Sequence, residues 1–333
     1  MAAQRRPSKD LDESDVHVRP GRGSRPRTRK RPKHENAREG FVLAVDRGRY
    51  RLLLDGNQIV AMRARELGRR SVVVGDRVNV VGDTSGRPGS LARIVRIQPR
   101  TSTLRRTADD EDAVERVIVA NADQMVIVCA LADPPPRPRL IDRCLVAAYD
   151  AGIDPLLCLT KADLADPDEL MAAYEPLGVP AVSTQRGGSL DALCDWLRGR
   201  LSVFVGHSGV GKSTLVNALV PDAGRATGSV NAATGRGRHV SSSAVALALP
   251  HDDGWLVDTP GVRSFGLAHV DPQTVVAAFP DLAPGTDECP RGCDHHADEH
   301  CALDAWVASG HADPARLDSL RRLLASRDRA SGD

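Results

Sequence analysis

The sequence predicts a multidomain chain with three folded parts in order: an N-terminal β-barrel, a central α/β domain, and a small α-helical domain that holds a metal. Three observations predict this. Short β-rich runs separated by Gly and Asp turns fill residues 40 to 100. From Val114 onward, apolar strand candidates alternate with helical stretches. Near the C-terminal end, Cys289, Cys293 and Cys301 cluster with histidines at metal-ligand spacing. A chain of 333 residues is too long for one ordinary core, which agrees with that division.

The formal net charge of +1 selects no class of partner, yet residues 19 to 38 are dense in Arg and Lys and nearly free of acids. No window approaches the roughly 18 consecutive apolar residues of a membrane span, and the first residues lack the apolar core of a signal peptide. A soluble, cytoplasmic protein with no membrane partner is therefore expected. Of the seven cysteines, Cys129, Cys144, Cys158 and Cys194 are scattered in apolar surroundings and read as small core residues, so disulfides are not expected. No repeat of solenoid period is present.

Residues 1–38 have too few apolar side chains to fold. They are expected to form a disordered basic arm, either a solubilising tail or an electrostatic contact to nucleic-acid phosphates. Residues 39–104 follow as the barrel, with strands expected at Phe41 to Val45, Tyr50 to Leu54, Gln58 to Met62, Ser71 to Val74, Arg77 to Val81 and Ser90 to Ile97. About five strands in so short a stretch suit an OB-fold or an SH3-like barrel, and the OB-fold is the expectation. Such barrels often bind oligonucleotides, with a purely structural module as the alternative. Arg63, Arg65, Arg69, Arg70, Arg93 and Arg96 would give this one a positive, RNA-binding surface.

Residues 112–268 are expected to form an α/β domain, with Val117 to Ala120, Gln124 to Ala130 and Pro155 to Leu159 as strands and Leu140 to Ala151 as a helix. The third strand ends in Thr160-Lys161-Ala162-Asp163, which fits the [NT]KxD guanine-recognition element. The Asp163 carboxylate can accept from guanine N1–H and the exocyclic amine, a donor pair that adenine lacks, and the Lys161 stem can cover the base plane. The same four residues could merely open a helix. Their position favours the base reading, because open α/β sheets bind ligands at the carboxyl ends of strands. A second strand ends in Ala181-Val182-Ser183-Thr184, where a backbone amide can meet guanine O6.

Leu201 to Val205 then leads into Gly206-His207-Ser208-Gly209-Val210-Gly211-Lys212-Ser213, the phosphate-loop pattern GxxxxGK[ST], followed by Thr214 and a helix through Val220. The glycines let consecutive N–H groups turn around a phosphate, Lys212 can reach the β and γ oxygens, and the Ser213 hydroxyl can ligate Mg²⁺. Gly224 to Ser243 is polar, glycine-rich and too long for a tight turn, so it is either filler or a functional switch. Trp255 to Val257 is a strand ending in Asp258-Thr259-Pro260-Gly261. Here Asp258 can hold Mg²⁺ through water and the Gly261 N–H can reach a γ-phosphate. In ordinary guanine-nucleotide domains the base motifs come after these elements; here Thr160 to Asp163 and Ser183 precede Gly206, so the domain is circularly permuted. Termini of compact domains often lie close together, which makes such a rearrangement tolerable.

Residues 269–333 are expected to form a zinc-binding and helical domain. Cys289-x3-Cys293-x-His295-x5-Cys301 supplies three thiolates and an imidazole, the ligand set of a closed structural Zn²⁺ site with no open position for catalysis. His296 and His300 stand near enough in sequence to take the place of His295, and free thiols in a loop are the alternative to any metal. A helix from Pro314 to Ser326 closes the chain.

Taken in this order, the barrel, Thr160 to Asp163, Gly206 to Ser213, Gly235-Arg-Gly-Arg-His239, Asp258 to Gly261 and the Cys/Cys/His/Cys module resemble the RsgA (YjeQ/YloQ) family of circularly permuted GTPases over residues 38 to 326. The resemblance implies hydrolysis of GTP to GDP and phosphate, stimulated by the 30S ribosomal subunit, during late small-subunit maturation. It also implies that the barrel and zinc module contact 16S rRNA, that nucleotide state controls binding and release, and that the protein acts as a monomer. Val262 stands where many GTPases place a water-orienting Gln, so intrinsic turnover is expected to be slow. The resemblance points to His239 as the catalytic group, with an RNA or phosphate contact as its alternative role. Two departures stand out. The family's switch usually reads His-Thr-Thr-Thr, whereas this chain has His239-Val240-Ser241-Ser242, so Ser241 would supply the switch hydroxyl to Mg²⁺. The first zinc spacing is also one residue shorter than usual. Two further readings are an RNA-binding assembly factor whose nucleotide is structural, and an ATPase with a degenerate base pocket.

Overall fold

Alternating burial builds the first five strands, each with one row of side chains facing inward. They are β1 (Arg38–Asp46), β2 (Arg49–Leu54), β3 (Asn57–Arg63), β4 (Arg77–Gly82) and β5 (Ala92–Ile97). The computed structural model describes residues 34–67, 71–107, 115–221, 244–259, 265, 267, 270–296 and 300–328. Two-residue turns connect the first three strands. Arg47 and Gly48 lie at φ 44° and 83°, and Asp55 and Gly56 at 47° and 77°, the doubly left-handed pattern that matches the twist of a tight hairpin. The strands hydrogen-bond in the order β1-β2-β3-β5-β4, and β4 returns to β1, which closes a five-stranded barrel. Val42, Tyr50, Leu52, Ile59, Val78 and Ile94 fill its interior.

The expected strand at Ser71 to Val74 is absent. Val72, Val73 and Val74 are all buried, so the run lacks the alternation of a two-faced strand, and it makes one isolated bridge, Val74 to Val119. It is a plug instead. Val72 belongs to the barrel interior and Val74 to the core of the neighbouring α/β part. The fully buried Asp76 carboxylate holds the plug by accepting from Val73 N at 2.8 Å, and Arg100 neutralises it through two bonds at 2.7 and 2.9 Å. Gly75 completes the corner: a Cβ there would stand 2.0 Å from the Ala120 carbonyl oxygen, a space only glycine leaves open.

A hairpin of β6 (Thr103–Thr107) and β7 (Glu115–Ala120) connects to the α/β part. Its strands are β8 (Gln124–Ala130), β9 (Asp154–Thr160), β10 (Ala181–Ser183), β11 (Arg200–Val205), β12 (Val245–Ala248) and β13 (Gly254–Asp258), in the order β10-β9-β8-β11-β13-β12. All pairings are parallel except β12 with β13. Every residue of β8 is buried, as expected for a central strand covered on both faces. On one face lies α1 (Pro138–Ala151); on the other lie α3 (Asp191–Leu197) and α4 (Lys212–Leu219), which seat Leu193, Leu197, Leu215 and Leu219 against Val126, Val128 and Phe204. The short α2 (Asp168–Tyr174) follows β9.

β12 also pairs with β1 through Ala44 and Val245, so barrel and α/β sheet share one hydrogen-bonded order. Beside this seam the rings of Phe41 and Trp255 lie 5.0 Å apart. At the C-terminal end, α5 (Pro272–Ala277), α6 (Ala302–Ala308) and α7 (Pro314–Asp328) follow. α7 packs on α1 and carries arginines that tie it down. Arg316 bonds Asp281 at 2.5 and 2.7 Å and the Pro176 carbonyl at 2.6 Å, and Arg322 lies over the Tyr174 ring. Among the described residues no helix is long and apolar enough to cross a membrane.

Candidate functional site

Strands β8, β9 and β11 are parallel neighbours, so their carboxyl ends open on one edge of the sheet, where α/β sheets hold ligands. The phosphate loop leaves β11 at Gly206, where a Cβ would meet the Val128 carbonyl oxygen at 2.6 Å. The close crossing of the loop over β8 therefore demands glycine. Gly209 and Gly211 have φ of 86° and 88°, the left-handed turns that fold the loop back into α4. Val210 is fully buried and anchors the loop from beneath. Ser208 and Gly209 are exposed, and Lys212, Ser213 and Thr214 begin α4.

The Lys212 ammonium is paired with the Asp258 carboxylate at the end of β13. The two groups expected to reach the phosphate oxygens and Mg²⁺, one from each side, thus converge on a single point. Thr259, next along, is buried and donates to the Phe204 carbonyl at 2.7 Å, fixing the end of β13 to β11. His207 has its Nδ1 2.8 Å from the Ser208 carbonyl oxygen, and burial, with Arg137 nearby, pulls its pKa below the ordinary histidine value.

The base-side elements meet at the same edge. Ala162 N donates to the Thr184 carbonyl at 3.1 Å and Thr184 N to the Leu159 carbonyl at 2.7 Å, so the loops after β9 and β10 are hydrogen-bonded to each other. Asp163 and Ser183 are exposed there. The Lys161 ammonium donates to the Asp133 carbonyl. One expected role changes: Thr160 is buried, and its hydroxyl donates to the Val210 carbonyl at 2.6 Å, so it faces the phosphate loop instead of a base. It ties the two loops together. Sequence reading missed the loop from Leu131 to Arg137, which passes the phosphate loop with Pro134 3.6 Å from where a Gly209 Cβ would stand. Its signal was available, since three prolines in succession follow a strand that ends at the ligand edge. His239, Ser241, Gly261, Arg69 and Arg70 lie outside the described residues, as do the first 33 residues of the basic arm. Arg63, Arg65, Arg93 and Arg96 are exposed on the barrel.

The ligand atoms of Cys289, Cys293, His295 and Cys301 all lie within 4.8 Å of one another. His295 is buried and its ring lies with the three thiols, whereas His296 is half-buried and His300 exposed, and neither belongs to the cluster of ligand atoms. Nδ1 of His295 stands 3.6 Å from Cys289 Sγ, matching the edge of about 3.6 Å expected for a tetrahedron built with Zn–S and Zn–N bonds. Burial raises the Cys301 pKa above the ordinary thiol value and lowers that of His295. A neutral imidazole suits ligation, and a cation amid the thiols offsets the cost of burying thiolates. Arg321 adds positive charge nearby: it hydrogen-bonds the Asp304 carboxylate at 2.6 and 2.9 Å and reaches the His295 carbonyl at 3.4 Å. The residues fit a metal held by three sulfurs and one ring nitrogen.

The family model described as RsgA GTPase matches residues 97–268. Curated proteins named small ribosomal subunit biogenesis GTPase RsgA are similar along most of their length. The one from Pseudomonas syringae pv. tomato is 40% identical over 265 residues, covering 77% of this chain and 75% of the relative. The one from Chromohalobacter salexigens is 40% identical over 263 residues, covering 76% and 74%. Among solved structures, YjeQ from Thermotoga maritima superposes with a TM-score of 0.65 at 25% identity, covering 88% of this chain and 99% of that one. YloQ, described as a circularly permuted GTPase, gives 0.63 at 23% identity and supports the fold alone. With the barrel, the permuted motif order and the Cys/His cluster in place, these likenesses show that the chain belongs to the RsgA GTPase family.

Proposed function

We propose that this GTP hydrolase acts on the small ribosomal subunit late in its maturation, binding it and leaving it according to nucleotide state. The observation that carries the reading is the meeting of Lys212 from the phosphate loop with Asp258 from β13, beside a base loop strapped to the same phosphate loop by Thr160. In this reading the backbone of Gly206 to Ser213, with Thr214 behind it and the Gly261 N–H, binds the phosphates. Asp163 accepts from guanine while Lys161, Ser183 and Thr184 frame the base. Ser213, Ser241 and Asp258 hold Mg²⁺, which supplies positive charge to the β- and γ-phosphate oxygens.

Val262 cannot orient a water molecule, so His239 takes that part, and ribosomal RNA binding completes the site. The division of labour follows the chain: a basic arm over residues 1–38, an RNA-binding barrel over 39–104, the GTPase over 112–268, and a zinc-binding and helical part over 269–333. The metal of Cys289, Cys293, His295 and Cys301 is Zn²⁺, because three thiolates and an imidazole at closed tetrahedral spacing suit that ion. The exposed arginines of the barrel meet 16S rRNA phosphates. The protein works as a cytoplasmic monomer.

The test is GTP turnover by purified protein alone, with 30S subunits and with 50S subunits. Strong stimulation by 30S alone is the expected outcome. Equal rates in all three would sink the small-subunit assignment while leaving the GTPase intact.

A further inference from the structure

Besides Arg321, the metal cluster meets a second group that is neither a ligand nor a neighbour in sequence. The Gln273 side-chain amide lies 3.3 Å from His295 Nε2, on the side of the imidazole away from the cysteines, while Nδ1 faces Cys289 Sγ at 3.6 Å. The ring is buried, so its second nitrogen has little access to water and needs a protein partner. Gln273 is itself well placed to be that partner. It sits in the first turn of α5, where its backbone N–H donates to the Asp271 carboxylate at 3.0 Å. Upstream, the Val270 carbonyl accepts from Arg327 of α7 at 2.6 Å.

We propose that Gln273 positions His295 for the metal: its amide oxygen accepts the Nε2–H and so fixes the tautomer that turns a bare Nδ1 toward the three thiolates. This rests on the zinc reading of the cluster given above. A neutral imidazole carries one proton, and a metal on Nδ1 requires that proton on Nε2. The nearest amide atom in the structure is the nitrogen, and half a turn about the terminal bond puts the oxygen in its place without moving any other atom. The partner of a ligating histidine usually comes from a carboxylate or a carbonyl, and here the carbonyl belongs to an amide side chain.

The placement gives this contact a further meaning. Gln273 lies on the stretch that runs from Asp258 to the zinc module, so the ring that completes the metal site is aimed by a residue on the route leading away from the phosphate edge. A displacement of α5 would be felt at His295 through this contact.

The experiment uses the full chain as purified, with Gln273→Ala and Gln273→Glu beside it. Zinc content is measured by mass spectrometry, zinc release by a chromophoric chelator, and ligand geometry by the visible absorption of the cobalt-substituted protein. Gln273→Ala is expected to release zinc about 10-fold faster or more and to alter the cobalt spectrum. Gln273→Glu keeps an acceptor at the same place and is expected to release zinc no faster than the parent. Basal GTP turnover, expected to be unchanged in both, shows that the fold is intact. An unchanged release rate in Gln273→Ala overturns the proposal, and so does a Gln273→Glu protein as leaky as Gln273→Ala, which would assign the side chain a packing role only. A parent protein purified without zinc would remove the zinc reading itself, and the proposal with it.

Discussion

A single hydroxyl ties the loop after β9 to the phosphate-loop motif, the two segments proposed to meet opposite ends of a nucleotide. Thr160 belongs by sequence to the base-recognition element, yet its Oγ1 donates to the Val210 carbonyl of the phosphate loop at 2.6 Å. Valine has the same shape and no donor, so Thr160→Val leaves a buried carbonyl without its bond, at a cost of about 1 to 3 kcal/mol. Because the lost bond sets the spacing of the two loops, GTP affinity is expected to fall by about tenfold, measured with a fluorescent guanine nucleotide. Unchanged affinity would mean that β8, β9 and β11 hold the loops in register unaided. At this scale the sequence was informative wherever chemistry restricts residue type to a few choices at short spacing, as for Gly206 to Ser213, Asp163 and the three cysteines. It gave Thr160 a base-side role and was silent on Gln273, because each meets a partner distant along the chain, and no local pattern records such a meeting.

Among the elements, α7 gathers the most long-range polar contacts, and one buried residue of α1 receives it. Arg143 donates to the Ser326 carbonyl near the end of α7 at 3.1 Å and to the Phe265 carbonyl at 2.5 Å, joining α1, α7 and the segment after Asp258. Arg143→Met keeps the helix propensity and most of the apolar stem but deletes both bonds, with an expected loss of about 2 to 3 kcal/mol. Hydrogen exchange should speed up in residues 314–328 before it does in the barrel. Equal acceleration everywhere would show that α7 is not a separable unit. The near-continuous apolar runs of β8 and β9 made these strands legible in advance. β12 was not, since four residues next to a polar glycine-rich stretch carry too little pattern, and Ser71 to Val74 misled because a buried plug and a buried strand have the same composition.

At the scale of the whole molecule, the turn between Cys289 and Cys301 is expected to depend on a bound metal, whereas its flanks seat Phe279, Leu303 and Leu320 in the main core. Between Cys289 and Cys301 no large aliphatic or aromatic side chain is present to hold the turn. Metal binding is then folding free energy for that segment. Stripping the protein with a strong chelator is expected to make residues 289–311 sensitive to protease while β1 to β5 stay resistant, as read by mass spectrometry of the fragments. Retained resistance at both ends would show that α7 alone secures the module. The order of domains was legible from motif order, but their joining was not, because a one-pair bridge between β1 and β12 leaves no mark on either strand.

That bridge has a mechanical consequence. β12 makes four pairs with β13 and one with β1, and the plug adds a second tie, because Val74 bridges to Val119 and Asn121 donates to the Gly75 carbonyl at 2.9 Å, so barrel and nucleotide sheet are joined at two separate points. Two ties fix an orientation where one would leave a pivot, so a load on the barrel is expected to reach β13 through β12 and β7 through Val74 with little rotation of barrel against sheet. A pair of fluorophores, one on β2 and one on α3, would read any such rotation directly as a change in energy transfer.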